Sequence, residues 1–257
     1  MEKILAKCEY ADLEYLSSVL DSYVSFTDDA ARKELLQKSH HASSAKTELC
    51  ALMDKQIRYY GSSDVAYAVR SVFSSSSDGG ISSLELIEDV CKKLKIKLKL
   101  KRGASMERRL EQLVSEVVET ELQSKTPTEL ADAFKKMGVG NEDANLLKEH
   151  LAKNGKVAIL PFIIQILGPK VALGLIETIT ISLIAKFFGS EAAKVLVKEV
   201  SKRNPMLNAL GPVMWVLSGA WLIYDLQGPA FRKTVPICLY LGVVALRDGA
   251  EDALAAA

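Results

Sequence analysis

The chain reads as an all-α protein on three observations. Apolar residues in its first 154 positions recur at helical spacing, helix-start signals sit where those patterns begin, and the remaining residues form apolar segments cut by glycine and proline into lengths that suit helical hairpins. The division between the two patterns falls near Gly155. It predicts a helical regulatory or binding domain over 1–154, facing water, and an apolar helical hairpin domain over 155–257.

In the first part, Met106, Leu110, Leu113, Val114, Val117, Val118 and Leu122 lie on one helical face, so that face is buried and the other solvated. Ser82 with Glu85 forms a capping box before LELIEDVCKKL. Thr126, Pro127 and Glu129 supply an N-cap, a proline at the first helical position and a reciprocal carboxylate. Asn141 is expected to cap EDANLLKEHLAK, whose two leading acids favour the positive end of the helix dipole. Residues 74–83 (SSSSDGGISS) read as a loop by composition.

One stretch departs from the helical period. Residues 93–101 (KLKIKLKLK) alternate, which would put Leu94, Ile96, Leu98 and Leu100 on one side of a short strand or edge hairpin and lysines on the other. Lys93, Lys95, Lys97, Lys99 and Lys101, with Lys92 and Arg102, make seven basic charges. They form a candidate contact for anionic lipid at about 1 kcal/mol per residue; the competing expectation is a solvated face balanced by Glu85, Glu88 and Asp89.

The second part contains a 21-residue uncharged run at 204–224 (NPMLNALGPVMWVLSGAWLIY), just long enough to cross a hydrocarbon core about 30 Å thick. Its neighbours at 157–169 and 234–246 hold 13 uncharged residues each, too few alone. Residues 171–188 have the length, but Glu177 interrupts them, and a charge at mid-helix costs about 3 kcal/mol on insertion scales. Glu177 is therefore a candidate pH or pairing switch, because neutralising it removes most of that cost. Residues 190–203 (SEAAKVLVKEVSKR) read as an amphipathic helix between the apolar segments. Trp215, Trp221 and Tyr224 are expected at a membrane interface, followed directly by Asp225, Arg232 and Lys233. In a water-facing fold Asp225 would instead pair with Arg232 or Lys233 and hold the turn between them. Helices apolar all round equally form the centre of an ordinary helical domain.

Composition narrows the partners. The 33 lysines and arginines nearly balance 32 acids, so no nucleic-acid-like field surrounds the molecule and no specific nucleic acid is expected. Cys8, Cys50, Cys91 and Cys238 form no CxxC pair, and the first residues lack an apolar signal core. A reducing cytosolic setting, or the cytosolic face of a membrane, is the expectation. Three histidines, His40, His41 and His150, give no metal-ligand spacing, and there is no P-loop, GxSxG or dinucleotide fingerprint. Gly138 and Gly140 follow a helix rather than a strand and read as a helix end. Neither a catalytic residue nor a cofactor or metal is expected.

EYADLEYLSSV near the start, YYGSSDVAYAVRSVF with GGISSLELIEDVCKKLKIKL in the middle, and GPVMWVLSGAWLIYDLQGPAFRKTVPICLYLGVVALR near the end resemble, in that order, the YaaW-like family of mainly bacterial proteins. The most specific pieces are residues 89–95 and 211–236. Gly61 stands alone where members often carry a glycine pair, and the loop at 74–78 is longer. The resemblance implies no activity; a distant similarity to ubiquinol-cytochrome c assembly chaperones implies helical protein handling.

Two functions follow as expectations. In the first, a non-enzymatic helical protein inserts its apolar hairpins into a membrane, or permeabilises it, permanently or on a trigger. In the second, the same hairpins are the core of a protein-binding or assembly-chaperone-like module. Membrane lipid is the partner expected first, with a homo-oligomer or a protein partner left open.

Overall fold

The computed structural model describes residues 1–21, 27–62, 80–100, 103–136, 139–154, 159–188 and 229–255. Among them are eleven α-helices and no strand. In chain order these are α1 (Glu2–Lys7), α2 (Tyr10–Leu20), α3 (Thr27–Ser39), α4 (Ser43–Tyr60), α5 (Ser83–Lys93), α6 (Met106–Gln123), α7 (Pro127–Lys136), α8 (Asn141–Asn154), α9 (Ile159–Leu167), α10 (Pro169–Phe188) and α11 (Pro229–Ala255). The all-α class holds.

Helix starts are fixed by local chemistry. Ser82 Oγ accepts the Glu85 N–H at 3.2 Å while Glu85 Oε2 accepts the Ser82 N–H at 2.8 Å, which is the expected reciprocal box. Thr126 and Glu129 repeat it before Pro127, the first residue of α7. Asn141 is itself the first residue of α8 rather than its cap, a shift of one position. The start of α9 is served from another element: both Glu119 oxygens, on α6, accept N–H groups, from Ile159 at 2.9 Å and Leu160 at 2.7 Å. A carboxylate there satisfies orphan donors at the positive end of a helix.

Over 93–100, the described part of the 93–101 stretch, neither a strand nor a hairpin forms. Helix α5 continues to Lys93 and closes with Lys95 in the left-handed region at φ 56. The Lys95 N–H reaches the Lys92 carbonyl at 3.1 Å, and the Ile96 N–H reaches the Cys91 carbonyl at 2.9 Å. That pair of bonds is a Schellman closure, in which the backbone groups on either side of Leu94 end a helix; the chain then leaves without a ladder among the described residues.

The core is one hydrophobic cluster that takes residues from Met1 to Leu246. At its centre lies α11, every residue of which from 234 to 246 is buried. This helix packs mainly on α6 and α10, and also meets α1, α2, α4 and α5. Being surrounded explains why its sequence is apolar all round. Gly242 permits the closest approach: a Cβ there would collide with Val114 Cγ2 and the Leu110 carbonyl on α6. Helices α7 and α8 pair with one another, and α8 joins the rest through α9.

Among the described residues no helix is long and apolar enough to cross a membrane. The uncharged run 204–224, the amphipathic stretch 190–203, the boundary at 155 and most of the loop at 74–83 lie outside the described residues.

Candidate functional site

Three helices bring charge into the apolar interior at one place. Asp12 is the third residue of α2 and accepts the Glu9 N–H through Oδ2 at 2.8 Å, so the helix start itself orients the carboxylate. Arg247, on α11, donates from Nη1 to both Asp12 oxygens at 3.0 and 3.1 Å, and from Nε to Glu177 Oε1 of α10 at 2.7 Å. Tyr240, two turns earlier on α11, donates its hydroxyl to Asp12 Oδ1 at 2.6 Å. Its ring lies 5.8 Å from the guanidinium and 4.7 Å from the Tyr15 ring of α2. Asp12 is 1% exposed and Glu177 5%, so water screens little of this clasp.

The electrostatics follow from that burial. Burial alone would raise the Asp12 carboxyl, but the Arg247 charge and the Tyr240, Arg247 and Glu9 donors outweigh it and hold Asp12 below the ordinary carboxylate range. Burial likewise works against the Arg247 cation, and the Asp12 and Glu177 carboxylates overcome it, so Arg247 holds its proton more strongly than a free arginine. Tyr240 is raised by burial first and then by the Asp12 charge, so it remains a hydrogen-bond donor. Arg247 Nη2, Tyr15 Oη and Thr180 Oγ1 are buried without a hydrogen-bond partner among the described residues. Arg247 Nη2 is thus a donor left over in a clasp whose three charges are mutually paired.

Of the residues singled out from sequence, Glu177 belongs to this clasp. Trp215, Trp221, Tyr224, Asp225 and Lys101 lie outside the described residues. Arg232 is exposed at the start of α11. Lys233 is half-buried; its Nζ donates to the Leu20 and Asp21 carbonyls at 3.1 and 2.7 Å and lies 4.0 Å from the centre of the Tyr60 ring. It therefore closes the C-terminal end of α2, where carbonyls need donors, and burial lowers its pKa. Beside it Arg32, fully buried, donates to Ser17, Asp29, Gln56 and Asp21. Lys93 is also drawn inward, its Nζ 5.0 Å from the Phe231 ring centre, whereas Lys95, Lys97 and Lys99 are exposed.

Sequence reasoning did not find Asp12 or Arg247. The clasp joins residues 70 and 235 positions apart, and no local period marks such a pairing. The available signal was an arginine directly following a fully apolar run.

Among the described residues no three metal-ligating side chains gather. The four cysteines are buried as free thiols, with burial raising Cys8, Cys50 and Cys238 and pushing Cys91 up to about 11. Thiols held that far above neutrality are poor nucleophiles.

No family model matches the chain. It is similar to "UPF0174 protein" chains of Helicobacter pylori. One from strain J99 is 24% identical over 197 residues, covering 75% of this chain and 69% of that protein. One from strain 26695 is 24% identical over 195 residues, covering 75% and 86% respectively. No solved structure matches.

Proposed function

We propose that this chain is a non-enzymatic helical protein that stores apolar helices as the core of a closed bundle and commits them to a lipid bilayer when the bundle opens. The observation that supports it is the clasp. Glu177 inside α10 and Arg247 directly after the buried run of α11, two charges that would resist insertion, neutralise each other in the interior and are tied to the amphipathic α2 through Asp12. A paired charge is retained in a closed state and must be freed or neutralised in an open one. In the sequence the uncharged run 204–224, the segment best suited in length to a bilayer, lies between α10 and α11.

Release of a trapped dye from anionic vesicles by the full-length, detergent-free protein tests this reading. Release is expected to be low at neutral pH and high at about pH 3, where carboxylates lose charge, and Glu177→Gln, which removes one of the two carboxylates that hold Arg247, is expected to raise release at neutral pH. A folded protein that releases nothing at either pH overturns it.

A second reading, a protein-binding or assembly-chaperone-like module, is favoured by one feature. Phe134, Val139, Leu147, Ile163, Ile166 and Leu167, with Asp143, line a small, mostly apolar cleft where α7, α8 and α9 meet. The likeness to assembly chaperones read from the sequence points the same way. In that case α10 and α11 are permanent core and the vesicle experiment gives no release.

A further inference from the structure

We infer that the lysine edge following α5 is the surface by which the closed protein docks on an anionic lipid bilayer, an inference that rests on the membrane reading above. The edge is built by the way α5 ends. The left-handed turn at Lys95 redirects the chain, and beyond it the side chains alternate: Ile96, Leu98 and Leu100 are partly buried, with Ile96 and Leu98 packed on the core cluster, while Lys97 and Lys99 stand exposed. Pinning the apolar side to the core holds the lysines outward, so the ridge is presented rather than merely solvated.

Charge complementarity identifies the occupant. Lys92, at the last turn of α5, is paired with Asp89 at 3.2 Å, and Glu88 beside it is exposed, so the acids of α5 are matched to its own lysines before the ridge begins. No carboxylate pairs with Lys97 or Lys99 among the described residues. Their charge is locally unpaired on a molecule whose total is only +1. A flat anionic surface suits such a linear edge. It needs no pocket. Nor does the ridge present an exposed aromatic side chain between its lysines, which single-stranded nucleic acid would use for stacking. Each lysine near an anionic leaflet strengthens binding about fivefold, and the attraction reaches about 10 Å at 0.1 M salt but only about 3 Å at 1 M.

The test is co-sedimentation of the full-length protein at neutral pH with phosphatidylserine-containing vesicles and with pure phosphatidylcholine vesicles. Binding to the anionic vesicles at about 0.1 M salt and its loss at about 1 M are expected. Lys97→Ala with Lys99→Ala should lower partitioning about thirtyfold, with the circular dichroism spectrum unchanged. Lys148→Ala with Lys153→Ala, which removes equal charge from the exposed face of α8, should leave most of the binding intact. Equal binding to both vesicle types, or an equal loss in the α8 variant, overturns the inference. So does tighter binding of a single-stranded oligonucleotide through the same two lysines. Dye release is scored separately. Sedimentation that survives without release at any pH defeats the insertion reading alone, and release that survives loss of the ridge defeats the docking inference alone.

Discussion

Replacing Arg247 by methionine would leave two buried carboxylates without their shared cation. Breaking a buried pair in this way costs about 3–5 kcal/mol, far more than the pair contributes relative to an apolar substitute, because the cost lies in the abandoned charge. Arg247→Met should therefore lower the urea midpoint at pH 7 substantially, and adding Glu177→Leu should recover part of the loss. The pH dependence has a definite sign. The folded-state pKa of Asp12 is depressed, so its contribution is complete above the unfolded value of about 3.9 and disappears as pH falls through the lower folded value. Stability of the parent protein should drop steeply below about pH 4, and the Arg247 variant should show a shallower drop. An equal loss of stability in parent and variant between pH 7 and about pH 3, measured by urea unfolding, would remove Asp12 from the account. One of the three charges of this site was legible in sequence. Glu177 stood out because a charge inside an apolar stretch demands a partner. The identity of that partner depends on how α2, α10 and α11 meet, which spacing along the chain does not encode.

At the scale of elements, caps and faces were the readable part because both are written within a few residues. The two capping boxes form, and Leu110, Leu113, Val114, Val117, Val118 and Leu122 all turn inward on α6. The alternation at 93–101 misled for a physical reason. Period two describes which side chains face the core, and an exit from a helix can satisfy it without a neighbouring strand. Lys233 shows a different limit, since nothing near it in sequence announces the C-terminal carbonyls of α2 that its Nζ meets. Helix crossings were not readable at all. Gly242 sits in an apolar run where any small residue would look acceptable, yet it is where α11 touches α6 most closely. Gly242→Ala should destabilise the protein by about 1–3 kcal/mol, since backbone on α6 must move to admit a methyl group. Gly103→Ala tests a different cause: its Cβ meets nothing within 4 Å, but its φ of 93° disfavours alanine. A thermal melt in which Gly242→Ala matches the parent would show that the crossing relaxes freely.

For the molecule as a whole, the same packing map that makes α11 central also ranks which regions open first. Helices α6, α10 and α11 bury one another, whereas α7 and α8 form a pair joined to the rest through α9. Regions with fewer buried contacts open at lower free energy, and helices in the middle of a core exchange only with global unfolding. Native-state hydrogen exchange at neutral pH should therefore find α7 and α8 exchanging through a partial opening, and α6 with residues 234–246 of α11 exchanging last. Uniform protection would mean that the α7–α8 pair is as firmly held as the centre. The experiment carries more weight when repeated near pH 4, where the Asp12 contribution begins to fail. A store-and-release protein should then lose protection in α10 and α11 together while α6 keeps part of its own, because the clasp ties those two helices to α2. A binding module with a permanent core should instead lose α6, α10 and α11 in one step, whatever the pH.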